Sequence, residues 1–349
     1  MKAIVLHRFG GPEVLSYEDV PDPQPQPGEV VVEVHAVSVN RSLDLMVRAG
    51  RRKSVVSLPH ILGVDPAGTI AAIGAGVSDL RVGDRVAVST SVWCGQCAAC
   101  LQQAEEDCAQ PVHIGVHRPG GYAEYVAVPA GNVTRLPDRL DFGEAAIIMR
   151  HAPTAWNLLR AKAGLRAGET VLVMGASGGL GQVGVQIGKI IGATVIAGAG
   201  TSNRVAAAMR LGADHGIAYH EVDLAEAVMD LTGGRGVDVV FENIGDPKLF
   251  PQAFASLAQR GRLVTAGAHG GQGVTLDVRR LYGRRLTVRG GGGCNRSDIA
   301  AAFEAAGSGR ITTLIDRRLP LRDAAAAHRL AEAGGNVGKI ILQPREAAA

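Results

Sequence analysis

Apolar positions follow three regimes along the chain. Up to about Arg150 they come in short Val/Ile/Ala runs broken by Gly, Pro and Asp. The segments GEVVVEVHAVSV (residues 28–39), GTIAAIG and GDRVAVS read as strands bounded by turns. Residues 1–150 are therefore expected to form a mostly β domain, a partly closed barrel. From about Ala155 to Gly290, apolar strands alternate with helical periodicity, which predicts a parallel sheet covered by helices. TVLVMG, TVIAGAG, VDVVFENIG and GRLVTAGA are four of its strands. This gives an α/β domain over 151–290. The stretch 291–349 has helical segments and a closing strand, GKIILQP, and is expected to return to the first domain.

Composition narrows the picture. At 349 residues the chain suits two domains. The net charge is only +3 and the basic residues are scattered, which argues against a nucleic-acid or membrane partner. No apolar run approaches the roughly 20 residues of a membrane span. Met1 to Leu6 opens a strand-like pattern rather than a secretion signal, so a cytoplasmic location is expected.

Residues 171–189 read VLVMGASGGLGQVGVQIGK. A strand runs into Gly175, Ser177, Gly178, Gly179, Leu180 and Gly181, then into a helix. Glycines permit a tight turn and let a pyrophosphate approach the backbone, while the helix start supplies free N–H groups. Glycine spacing alone also fits a plain strand-to-helix turn, but here the strand and the helix that the motif requires are both present. An NAD-binding domain usually carries Asp or Glu at the end of the next strand. Here VIAGAGTSNR has no acid between Val195 and Arg204. Thr201, Ser202 and Arg204 can donate to a phosphate, with Lys189 nearby, so NADPH is expected. Thr201 or Ser202 also fits a simple helix N-cap.

Four of the five cysteines, Cys94, Cys97, Cys100 and Cys108, have C-x2-C-x2-C-x7-C spacing. This predicts one zinc bound by four thiolates, with no coordination position left open for chemistry.

Together with TAWNLL, GGYAEYVAVPAGNV, GADHGI and GKIIL, these motifs resemble the medium-chain dehydrogenase/reductase superfamily from end to end. VLVMGASGGLG and TAW are most similar to its quinone oxidoreductase and enone reductase branch. The resemblance implies a GroES-like catalytic domain and a Rossmann domain with the active site in the cleft between them. It also implies hydride transfer between nicotinamide and a small-molecule substrate, and a homodimer or homotetramer joined through the Rossmann domain. It places nicotinamide near Asn243, Gly245, Gly267 and Ala268, with Glu242 as a further candidate or a structural acid. Zinc alcohol dehydrogenases of the superfamily hold a second, catalytic zinc. At its three ligand places this chain has Asn40 or Arg41 (ahead of Asp44), Val64, and Arg150 or His151. Valine cannot bind metal and arginine repels it, so a site without catalytic zinc is expected.

In such a site Asn40 is a candidate oxyanion donor, Arg150 a source of positive charge and His151 a proton donor. Each has a plainer reading: Asn40 as a turn cap, Arg150 paired with Asp44 or Asp65, and His151 as a core histidine. Met46 stands where relatives without zinc often have a tyrosine. Tyr282 is a possible substitute or a packed edge residue, and Trp156 fits the core. Three functions compete on this evidence. The first is NADPH-dependent reduction of an enone or quinone; the others are a zinc alcohol dehydrogenase with atypical ligands and a non-catalytic NADPH-binding protein.

Overall fold

A computed structural model describes residues 1–268 and 273–345. The chain divides into two compact units, Met1–Arg150 with Ile315–Ala349, and His151–Leu314. The expected tail is thus split: residues 291–314 stay with the second unit. Inside that unit Asn157 donates to Asp298 at 2.9 Å and the Leu314 amide donates to Gln182, which explains the split.

The first unit is built on strand Glu29–Ser38, whose apolar residues reach both faces. It pairs antiparallel with Ala67–Ile73, with Tyr125–Pro129 and, at its C-terminal end, with Lys339–Gln343. Ile315–Pro320 adds to that last strand in parallel. Val30, Val32, Val34, Val37, Ile70, Val86, Val128 and Leu342 are buried in the shared core. A separate three-stranded sheet joins Lys2–Leu6 to Leu15–Asp19 and His60–Ile61.

The second unit holds a six-stranded, wholly parallel sheet. Its spatial order is His215–Ala218, Thr194–Ala199, Thr170–Met174, Val237–Glu242, Leu257–Thr265, Thr287–Gly290. The chain order reverses between the third and fourth of these strands, and ligands of doubly wound sheets sit outside such a switch point. The expected strands are present. His215–Ala218 and the edge strand Thr287–Gly290 are additions, each of only four residues. Helix Gly179–Ile191 buries Val183, Val185 and Ile187 and ends at Gly192 in the left-handed conformation. Trp156 is buried, whereas Tyr282 is 72% exposed, which removes it as a packed edge residue. No described helix is long and apolar enough to cross a membrane.

Candidate active site and metal centre

The glycine loop has the form the sequence requires. Gly175 adopts φ +62°, and its carbonyl accepts the Gly178 N–H at 2.8 Å. A Cβ on Gly181 would lie 2.0 Å from the Gly175 oxygen, so only glycine lets the helix start this close to the strand. Helix Gly179–Ile191 begins without a side-chain cap. Across the switch point, Asn243 donates to the Met174 carbonyl at 3.0 Å, while its buried Oδ1 has no hydrogen-bond partner. Bare backbone at a helix start and an unmet buried acceptor beside it fit a bound dinucleotide. Gly245 and Gly267 interlock: a Cβ on Gly267 would lie 2.0 Å from the Asn243 oxygen. Ala268 is exposed at the end of this segment. Glu242 is a structural acid here, fully buried and accepting from the Ile244 and Gly245 amides and the Thr265 hydroxyl.

The expected phosphate pocket differs from the sequence reading. Thr201 is the N-cap of helix Ser202–Arg210 but makes no side-chain capping bond. Instead Glu221 accepts from the Ser202 amide at 3.1 Å and from its hydroxyl at 2.7 Å. An acid does stand here, supplied by the turn after the neighbouring strand. Arg204 is half-buried. Lys189 pairs with Asp214 at 2.8 Å and donates to the Ala193 carbonyl, so it serves the far end of its helix. His151 belongs to the second unit, and its ring lies against the loop: a Cβ on Gly179 would meet Nε2 at 2.4 Å.

The four cysteines converge, with all four Sγ atoms within 4.8 Å of one another and Cys94 Sγ 3.9 Å from Cys100 Sγ. Tetrahedral zinc–thiolate bonds of about 2.3 Å require sulfurs about 3.8 Å apart, so the cluster fits such an ion. Backbone N–H groups of Ala109 and Cys100 hold the Cys97 thiol down at about 6, while burial pushes Cys100 up to about 12. Four thiols this close cannot all ionise without a cation among them.

The remaining predicted residues meet in a buried polar network in the first unit. Asn40 is 2% exposed and fully engaged. Its Nδ2 donates to the Ser38 carbonyl, the Ser38 hydroxyl and Asp65 at 3.1–3.2 Å, and its Oδ1 accepts from Lys339 Nζ at 2.9 Å. It therefore has no donor to spare for a substrate oxygen, which corrects the oxyanion assignment. Ser38 also donates its amide and hydroxyl to Asp65. Asp44 accepts from the Asn40 and Gly63 amides. Burial, then the charge of Asp65, raises Asp44 to about 7, and burial lowers Lys339 to about 8. Tyr122, wholly buried, hydrogen-bonds Asp44 and lies 3.0 Å from His328 Nε2. Arg48 faces His328 Nδ1 at 3.4 Å and pairs with Glu332. Because Arg48 can only donate, Nδ1 accepts, Nε2 carries the proton toward Tyr122, and the phenol donates to Asp44.

Arg150 pairs with neither Asp44 nor Asp65. Its Nε is buried without a hydrogen-bond partner. It is near enough to Lys339 and His113 to disfavour their protonation. Burial, then His117, Arg150 and Arg52, pushes His113 down to about 4, and the His113 and His117 rings stack 5.2 Å apart. Among the described residues neither Arg52 nor Arg150 has an ion-pair partner. Lys339, Tyr122, His328, His113 and Glu221 escape sequence reasoning because each acts through a partner far along the chain or outside a motif.

Comparison with known proteins matches this architecture. Residues 26–138 match the alcohol dehydrogenase GroES-like domain, and residues 179–308 match the zinc-binding dehydrogenase family. A 2-haloacrylate reductase from Burkholderia sp is 31% identical, over 98% of this chain and 99% of its own. Human quinone oxidoreductase is 29% identical, over 98% and 97%. The crystal structure of an NAD-dependent alcohol dehydrogenase superposes with a TM-score of 0.95 at 37% identity, covering 99% of this chain and 100% of that one. The chain belongs to the medium-chain dehydrogenase/reductase superfamily and is an oxidoreductase of that family.

Two outcomes follow. Purified protein is expected to hold about one zinc per chain by elemental analysis. Cys97→Ser is expected to lower the melting temperature more than it weakens cofactor binding. Two tightly held zincs per chain would contradict a single thiolate site.

His328 provides the second. Burial, then Arg48, lowers its pKa from 6.5 to about 3. A group depressed in the fold adds stability that is complete above its unfolded pKa. That stability drains away as pH falls from about 6.5 toward 3. The shift sets a limit on the order of 5 kcal/mol for this histidine. Denaturant titrations of wild type and His328→Asn between pH 7.5 and 4 are expected to converge as pH falls. Parallel curves would show that His328 does not titrate between the folded and unfolded chains.

Proposed function

We propose that this protein is a nicotinamide-dependent reductase of an activated C=C or C=O bond, of the enone or quinone kind, working without a catalytic metal. The observation that carries this reading lies at the places where zinc relatives hold their metal. The Asn40 carboxamide oxygen is already bound to the Lys339 ammonium, Val64 is a fully buried hydrocarbon, and the third place offers the Arg150 cation or His151, whose ring lies against Gly179. Such a set attracts electron-rich oxygen rather than metal.

The glycine loop would hold the pyrophosphate of a nicotinamide dinucleotide, which in its reduced form would supply a hydride. The chain's own residues supply the electrostatics. Arg150 and Arg52, near His113, would supply positive charge suited to a developing enolate or phenolate oxygen, with the neutral His113 imidazole as a further hydrogen-bond donor. The proton comes from water or from His151, whose ring lies on the cofactor loop. The network of Asn40, Asp44, Asp65 and Lys339 positions the strand ends beneath and does not touch the reacting atoms. The 2-haloacrylate reductase and quinone oxidoreductase names of two relatives support the reading. The expectation of NADPH is not carried into it, because Glu221 occupies the Ser202 donors.

The test compares rates for enone and quinone reduction with those for oxidation of simple alcohols. Reduction is expected to dominate, with little alcohol oxidation, since no Lewis acid holds an alkoxide. Arg150→Met is expected to cut kcat/KM for the preferred acceptor by about tenfold or more, as loss of one oxyanion stabiliser does. Fast, chelator-sensitive alcohol oxidation would favour a zinc alcohol dehydrogenase with atypical ligands. Absence of turnover with every acceptor, despite tight cofactor binding, would favour a binding protein.

A further inference from the structure

The end of strand Thr194–Ala199 is where a doubly wound domain meets the adenosine ribose of its dinucleotide. In sequence this place is Gly198, Ala199, Gly200, with no acid and apparent room for a phosphate. The structure fills that room from the neighbouring strand. His220 packs against Gly200, where a Cβ would lie 2.8 Å from Cε1 and 3.0 Å from Nδ1 of its ring. The Tyr219 and His220 amides donate to the Ala199 and Gly200 carbonyls, which ties the turn after His215–Ala218 to this strand end. The next residue, Glu221, then spends both carboxylate oxygens on Ser202. Those hydrogen bonds, Ser202's hydroxyl first, hold the Glu221 carboxyl below its usual range, with His220 adding to the effect. Glu221 is therefore ionised at neutral pH.

We propose that Glu221 is the residue that selects cofactor, favouring a dinucleotide with a free ribose 2′-hydroxyl, NAD(H), over its 2′-phosphorylated form. The assignment rests on the nicotinamide-dependent reading above. A carboxylate accepts hydrogen bonds from ribose hydroxyls. A 2′-phosphate carries about −1.5 to −2 charge and competes for the two donors that Glu221 already holds. It must displace that carboxylate or sit against it, and either costs affinity. The usual ribose acid follows the second strand of the motif; here it is replaced by one that follows the third. The opposing charge is Arg204, close enough to Tyr219 to act on its phenol. The test therefore has an arm for each residue.

NADH and NADPH are titrated into the zinc-loaded protein without substrate, by calorimetry, with melting temperature recorded for each variant. Wild type is expected to bind NADH at least about tenfold more tightly than NADPH, a difference of about 1.4 kcal/mol. Glu221→Ala and Glu221→Gln are each expected to tighten NADPH about tenfold and to change NADH less. Arg204→Ala is expected to leave the wild-type preference for NADH in place. Tighter binding of NADPH by the wild type overturns this assignment alone. So does an equal loss of both cofactors in the Glu221 variants with a lower melting temperature, the signature of a mere helix cap. Binding of neither dinucleotide overturns this assignment and the reductase reading together.

Discussion

Two carboxylates and one ammonium are buried together beneath the central strand of the first unit, and the surrounding residues are arranged to keep that charge in place. Asp44, Asp65 and Lys339 are each at most 8% exposed. Buried ions are tolerated only when paired and fully hydrogen-bonded. Asp65 receives the Ser38 amide and hydroxyl and the Asn40 amide group. Asp44 receives two backbone amides and the Tyr122 phenol. Lys339 donates to the Val39 carbonyl and the Asn40 oxygen. Asn40 is the joint among them, donating to an acid and accepting from a base. Lys339 begins the strand that pairs with Val37 and Ser38. The strand that returns the chain to the first unit is thus also the one that brings the ammonium to the two acids.

This explains what the sequence can and cannot reveal. The glycine loop and the cysteine lobe are local, with every participant inside a short window, and both are legible from spacing. The strands are legible because alternation and apolar runs are local as well. The role of Asn40 is not, because the ammonium that claims its oxygen lies 299 residues away. An asparagine at a family ligand position reads as a spare donor until that partner is known. His328 and Tyr122 meet across 206 residues, and neither belongs to a motif. Glu221 is a nearer miss. An acid is expected at the end of one strand, whereas parallel neighbours bring the ends of two strands together, and here the acid follows the other.

The two charged regions of the first unit have different consequences. In the buried network one ammonium, Lys339, offsets two acids and the remaining polar atoms are hydrogen-bonded within it, so it orients and stiffens without reaching outward. Among the described residues Arg150 and Arg52 have no ion-pair partner, and His113 near both is held neutral at physiological pH by burial, by His117 and by their charge. A neutral imidazole beside two cations leaves the region positive without adding a third cation to repel them. A partly buried guanidinium loses less of its field to water than an exposed one, because the effective dielectric around it is lower.

The metal site sharpens the chemical demand on that region. Four thiolates would saturate a tetrahedral ion and leave it no position for substrate, so a zinc held in the cysteine lobe would be structural. In the proposed reductase, stabilisation of a developing oxyanion would fall to guanidinium and imidazole groups. These give less than an inner-sphere metal does, and the deficit is largest for an alkoxide, where the charge sits on one atom. It is smallest when conjugation already spreads the charge, as in an enolate or a hydroquinone anion. A site with Val64 at one ligand place and Arg150 or His151 at another would, on the proposed reading, limit the substrate as well as the mechanism. On the proposed reading the bond to be reduced would have to arrive polarised, because cations would receive the charge with no Lewis acid to create it.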